Sequence, residues 1–187
     1  MGTVTTEPVL TAAEFLERHG AETCIELVRG QVVRYPMPGG PHGYICNNAS
    51  AIITPFVREH GLGRVFSNDT FTKTRLTEAK ETLRGPDVAF VSYARMPKGP
   101  IPKGPIPCAP DLVVEVRSPS DRIPQLSTKA TEYLDAGATV VLVLDPETES
   151  LAVYRENEFP IRMHNGDELT LPDVLPGFSI EVKKFFE

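Results

Sequence analysis

The chain is 187 residues long, 41% hydrophobic and 24% charged, with a formal net charge of −6. That length and composition fit one ordinary domain with a sizeable core, residues 1–187, and exclude a wholly disordered chain. The sign of the charge argues against a histone-like or polybasic binder of nucleic acid.

No apolar run approaches the ~20 residues of a membrane helix, so no membrane partner is expected. Residues 1–10 have neither the basic start nor the apolar core of a secretion signal, and are expected to be flexible. Gly2 and Thr6 fit a myristoylation pattern so short that chance accounts for it. Cys24, Cys46 and Cys108 are odd in number and lack metal-ligand spacing. They read as reduced thiols of a cytoplasmic protein.

Thr11 and Glu14 form a capping box for a short helix ending near Gly20. Cys24 to Val28 and Gln31 to Tyr35 flank Arg29-Gly30 as a hairpin. Ile45, Ala49, Ile52, Ile53 and Phe56 fall at helical spacing between His42 and His60, with Pro55 inside as a kink. Val65 to Leu76 reads as two strands around Asn68-Asp69. A strand follows Pro86, over 87–91.

Six prolines and a tandem Lys-Gly-Pro-Ile-Pro repeat make 96–110 an extended loop. Strand 112–116, a helix to Ala136 and an apolar strand over 138–144 form a crossover unit. Asp145 to Glu149 turns into strand 151–155. Short strands near Ile161 and Ile180 complete a mixed α/β chain.

Strand alternation puts Asp111, Val113, Glu115 and Arg117 on one face. A carboxylate between valines, as Glu115 is, is costly to bury unless it is paired or coordinated. Asp87 opens an equally apolar strand, and two acids on strands of one sheet can share a hard cation. The bland alternative is a turn acid at Asp87 and an ion pair from Glu115 to Arg117 or Lys129.

Lys129 borders the stripe Ile123, Leu126, Ala130 and Tyr133, either snorkelling or aimed back over Glu115. In the second case it would orient a water or offset charge on phosphate. Glu26, inside an apolar strand, is either a second acid near the metal or the cross-strand partner of an arginine. His42 is either a further candidate for the site or a solvated residue at a helix start. Ser118 and Ser120 lack a glycine-flanked nucleophile elbow and read as caps.

Pro86-Asp87-Val88, Pro110-Asp111-Leu112-Val113-Val114-Glu115-Val116-Arg117-Ser118-Pro119-Ser120-Asp121-Arg122, Lys129 with Tyr133 and Gly137, and Val141-Leu142-Val143-Leu144-Asp145-Pro146 together carry a resemblance. The set resembles the Uma-type family of restriction endonucleases, within the PD-(D/E)XK nuclease superfamily. Thr11-Ala12-Ala13-Glu14-Phe15-Leu16, Glu26-Leu27-Val28-Arg29-Gly30 and Asp173-Val174-Leu175-Pro176-Gly177-Phe178 extend it over nearly the whole chain.

The resemblance implies a restriction-endonuclease-like fold, a mixed sheet flanked by helices. It also implies hydrolysis of DNA phosphodiesters with Mg²⁺ or Mn²⁺. Asp87 and Glu115 would be the metal acids and Glu26 an additional one. Lys129 would stand for the motif lysine, because position 117 is an arginine; Arg117 could share the role. Lys98 and Lys103 on the proline loop, and Arg122, are candidate phosphate contacts. Two sites are needed for a double-strand cut, so a homodimer is expected.

The alternatives are a catalytically degenerate module that binds nucleic acid or protein on the same fold, and a metal-dependent hydrolase of another substrate. The negative charge does not count against a nuclease, because it is unevenly spread. Residues 58–129 carry 12 basic and 8 acidic side chains, whereas 130–187 carry 4 and 12.

Overall fold

The computed structural model describes residues 2–4, 8–75, 81–119 and 121–187. Leu76, Thr6 and Ser120, each part of an expectation above, lie outside them.

The N-terminal third builds one sheet. Strand β1 (Thr3–Val4) pairs with β3 (Gln31–Arg34), and helix α1 (Ala12–His19) follows β1. Thr11 caps α1 as expected: its hydroxyl accepts from the Glu14 amide, and the Glu14 carboxylate accepts from the Thr11 amide. Residues described within the N-terminal ten make contacts with this sheet. Thr3 and Val4 are in the sheet, and Leu10 is buried with its amide on the Gly30 carbonyl.

Strand β2 (Ile25–Val28) forms the expected hairpin with β3. Arg29 and Gly30 both have positive φ, 52° and 77°, which matches the right-handed twist of the paired strands. The first sheet runs β1-β3-β2-β6-β5, with β5 (Thr72–Arg75) and β6 (Thr82–Arg84) at its far side. Ile25, Leu27, Val32 and Leu83 cover Leu10 and Phe15 on one face. Glu26 alternates to the other face.

Helix α2 (Gly40–Glu59) carries Pro55 internally and buries Ile45, Ala49, Ile53 and Val57. Strand β4 (Gly63–Ser67) follows it. The two strands expected around Asn68-Asp69 exist, but they do not pair with each other. β4 joins β7 (Val88–Ser92) and β5 joins β6, so the chain changes sheets between them. Asn68 and Asp69 sit at that change with φ of 59° and 53°.

The second sheet has β8 (Leu112–Val116) and β9 (Val140–Asp145) at its centre, paired in parallel through helix α3 (Ile123–Asp135). This is the expected crossover unit. Strands β10 (Ser150–Arg155) and β11 (Ile161–Met163) extend it on one side, giving the order β11-β10-β9-β8-β7-β4. A separate hairpin, β12 (Glu168–Leu171) with β13 (Leu175–Glu181), packs with α2 over one face.

Alternation divides β8 as expected. Leu112, Val114 and Val116 face the α2 core, while Val113 packs with Leu126, Ala130 and Tyr133 of α3. Helix α3 therefore lies against the second sheet with Glu26 of the first sheet beside it. Among the described residues, no helix is long and apolar enough to cross a membrane.

Candidate active site

β7 and β8 are antiparallel, with Val88 opposite Val114 and Ala89 opposite Val113. One step further, that register sets Asp87 across from Glu115, and directly opposed residues point to the same face. The Asp87 carboxylate is fixed by the Val116 amide, which donates to Oδ2 at 2.6 Å. Gly85, two residues earlier, passes close to the β4–β5 connection: a Cβ there would lie 2.7 Å from the Asp69 carbonyl oxygen. Its amide donates to Glu26 Oε1 at 3.1 Å. The chain before Asp87 is therefore tied to both neighbouring segments.

Glu115 is 5% exposed. Lys129 Nζ lies 2.8 Å from its Oε2, and the Tyr133 hydroxyl donates to Oε1 at 2.8 Å. Positions 129 and 133 are one helical turn apart, so both reach the same carboxylate. Lys129 Nζ also lies 3.0 Å from Glu26 Oε1, and one buried ammonium thus joins an acid from each sheet. Arg84, on the three-residue strand β6, donates to Glu26 Oε2 at 2.6 Å and to Glu132 Oε2 at 3.1 Å through Nε. The Tyr35 hydroxyl gives Glu26 a further bond at 2.8 Å.

The two acids are driven in opposite directions. Burial alone would raise the Glu26 carboxyl, but Lys129 and Arg84 outweigh it and hold the group at about 2. Burial pushes Glu115 up to about 7; Lys129 opposes this, while the charges of Asp87 and Glu26 add to it. Lys129 is driven upward, because the pull of Glu115 and Glu26 exceeds the cost of its own burial. It is a fixed cation rather than a proton acceptor.

These groups line a cavity of about 530 Å³ together with Asp69, His42 and Asp121. Asp87 and Glu115 are oxygen donors with lone pairs left over, suited to a hard divalent ion. The raised Glu115 carboxyl is a further sign of fit, since a cation would relieve the repulsion among Asp87, Glu115 and Glu26.

His42 lies beside the metal acids, the first of its two readings. It is not a solvated residue at the helix start: its Nε2 stands 3.4 Å from Asp87 Oδ1, and its side chain is 13% exposed. Its Nδ1 lies 3.4 Å from Cys46 Sγ. Donor atoms of His42, Cys46 and Asp87 all lie within 4.8 Å of one another and could hold a metal ion. The signal in the sequence was the i, i+4 spacing of His42 and Cys46, which puts both on one helix face. Arg84 was also missed, because a three-residue strand has no periodicity to read.

The structure thus brings Asp87, Glu115, Lys129 and Glu26 together. It does not bring Arg117 to them. Strand β8 ends at Val116, and the Arg117 guanidinium turns to Asp145 at 2.9 Å and Glu147 at 3.0 Å. Lys98 Nζ lies 5.0 Å from the centre of the Tyr93 ring, beyond the end of β7 opposite to Asp87, about 20 Å along the strand. Lys103 is exposed on the same loop, and Arg122 is exposed at the start of α3, next in sequence to Asp121 of the cavity wall.

The chain has the restriction-endonuclease-like fold. A solved structure from Anabaena variabilis ATCC 29413, described as "a putative nuclease belonging to DUF820", is similar over 95% of this chain and 97% of its own. The TM-score is 0.79 and the sequence identity 21%. Within that fold class, the profile of the Uma2 family, described as "Putative restriction endonuclease", matches residues 12–183. The chain belongs to the Uma2 family. No curated protein matches it.

Proposed function

We propose that this chain is a metal-dependent DNA endonuclease, acting as one nuclease domain over residues 1–187 and hydrolysing phosphodiester bonds. The observation that carries this is the placement of Asp87 opposite Glu115 with the Lys129 ammonium on the Glu115 carboxylate. A buried acid pair beside a fixed cation is what phosphoryl chemistry needs: anchoring for a divalent ion and positive charge where negative charge grows.

Asp87 and Glu115 would hold Mg²⁺ or Mn²⁺, which supplies Lewis acidity toward a phosphate oxygen and a water. Lys129 orients the water or offsets charge on the phosphate. Glu26 acts on Lys129, keeping the ammonium between two carboxylates. Tyr133 fixes the rotamer of Glu115 by its hydrogen bond. Arg117 is a salt-bridge residue in this scheme. Arg122, exposed next in sequence to Asp121 of the cavity wall, would meet a phosphate near the site, while Lys98 and Lys103 would touch only DNA that extends well past the scissile bond. The protein works in the cytoplasm, as a homodimer where both strands are cut.

Purified protein with Mg²⁺ or Mn²⁺ is expected to nick supercoiled plasmid. Asp87→Ala should lower the rate by about 10³-fold or more, as loss of a transition-state charge stabiliser does. The assay is conversion of supercoiled to open-circle and linear DNA. Wild type inert on DNA across a range of metals would overturn the assignment; binding without cleavage would point to a degenerate nucleic-acid module.

A further inference from the structure

We propose that His42, Cys46 and Asp87 form a binding site for a borderline-soft divalent ion of the Zn²⁺ class, separate in donor chemistry from the Asp87–Glu115 pair but sharing Asp87 with it. Occupancy of this site by Zn²⁺ is a reversible brake on Mg²⁺-dependent cleavage.

The donor set has one imidazole nitrogen, one sulfur and one carboxylate oxygen, all within 4.8 Å of one another. Two pairs of these donors stand 3.4 Å apart, Cys46 Sγ from His42 Nδ1 and His42 Nε2 from Asp87 Oδ1; either one alone is close to an edge of a tetrahedron with metal bonds of about 2.0–2.3 Å, but they use different ring nitrogens and are not two edges of one shell. An ion would take one of the two ring nitrogens, with a small rotation of the ring.

Both protein elements are already fixed. Ile45 and Ala49 bury the same stretch of α2 in the core, and the Val116 amide fixes Asp87. His42 and Asp87 line the cavity, so solvent ions have access from that side.

Selectivity follows from the ligands. Thiolate and imidazole favour Zn²⁺ and Co²⁺, whereas Mg²⁺ keeps to oxygen donors. On binding, the Cys46 thiol gives its proton to solvent and the imidazole binds in its neutral form. No electron is transferred. The brake arises because an Asp87 oxygen committed to Zn²⁺ is withdrawn from the hard-ion pair. That part rests on the proposed nuclease reading; the binding site itself does not.

The test is a titration of Co²⁺ into protein stripped of metal by chelation. The expected result is a thiolate-to-cobalt charge-transfer band in the near-ultraviolet together with tetrahedral-type visible bands. Excess Mg²⁺ should leave both unchanged, and Zn²⁺ should erase them. Cys46→Ser should remove the near-ultraviolet band, which separates this thiol from Cys24 and Cys108. Affinity for Zn²⁺ should fall about tenfold or more in Cys46→Ser and in His42→Ala.

In the cleavage assay, Cys46→Ser should keep Mg²⁺-supported activity and need about tenfold more Zn²⁺ for inhibition. A weak octahedral cobalt spectrum with no thiolate band, the same in wild type and Cys46→Ser, would overturn the site. A normal cobalt band with equal Zn²⁺ inhibition in wild type and Cys46→Ser would overturn the brake. A cobalt band from a protein that cleaves no DNA would leave the metal site standing and remove the nuclease reading instead.

Discussion

Replacing Lys129 with methionine is expected to cost the fold about 3–5 kcal/mol at pH 8, and to abolish cleavage. The methionine fills most of the volume, so the cost is electrostatic rather than a cavity. Lys129 is the one cation that touches both Glu26 and Glu115 among the described contacts. Without it, Glu26 keeps Arg84 and Tyr35, but among the described residues Glu115 keeps only the Tyr133 hydroxyl.

Glu115 must then either stay charged in the interior or take up a proton, so the penalty shrinks as the pH is lowered. Adding Glu115→Gln to Lys129→Met should recover a substantial part of the loss, because the orphaned charge is gone. Urea unfolding of the four proteins in this double-mutant cycle measures it. A single mutant within about 1 kcal/mol of wild type, or a double mutant no better than the single, would show that the ammonium is not what holds the two acids.

Glu115→Gln on its own should do something less usual: destroy cleavage and make the metal-free protein more stable at high pH. The folded carboxyl is raised to about 7 from an ordinary 4.5. Below 4.5 it is protonated in both folded and unfolded states, so it has no effect on stability. Between 4.5 and 7 the unfolded chain ionises and the folded one does not, so the penalty grows. Above 7 the penalty is complete, at about 3 kcal/mol.

Glutamine keeps an acceptor for Lys129 and removes that penalty. The variant should therefore gain roughly 2–3 kcal/mol over wild type at pH 8 and nothing at pH 4. Glu26 acts in the opposite sense. Held at about 2, it stabilises above 4.5 and loses that contribution as pH falls toward 2. Thermal melts in chelator across this range would decide. A stability difference between Glu115→Gln and wild type that does not change with pH would sink the argument. A site acid that weakens its own fold is a common mark of function, because the strain is relieved only by the bound ligand.

Much of the site was legible because it obeys strand and helix periods. A period of two put Glu115 on one face with Val113, and the helical stripe that Lys129 borders aimed that lysine back over it; the Tyr133 hydroxyl on Glu115 was not foreseen, because Tyr133 read as part of the apolar stripe. The period of two failed at Arg117 because the strand ended one residue earlier, leaving the guanidinium free to follow the acids at the end of β9. Arg84 was invisible, since three residues of strand carry no pattern and its partners, Glu26 and Glu132, are 58 and 48 positions away.

Asn68-Asp69 separated two strands in the sequence, and both residues do have positive φ. Where the chain went after them was decided by two sheets competing for it, a long-range matter. In the proline loop, prolines fix stiffness and not direction. Lys98 was consequently placed at the wrong end of β7.

In the proposed site Asp87 and Glu115 together hold the metal. Crystals soaked in Mn²⁺ and measured for anomalous scattering test it most directly. One peak is expected, bonded to an oxygen of Asp87 and an oxygen of Glu115, each at about 2.0–2.3 Å. No peak there, or an ion reaching Asp87 but not Glu115, would contradict it.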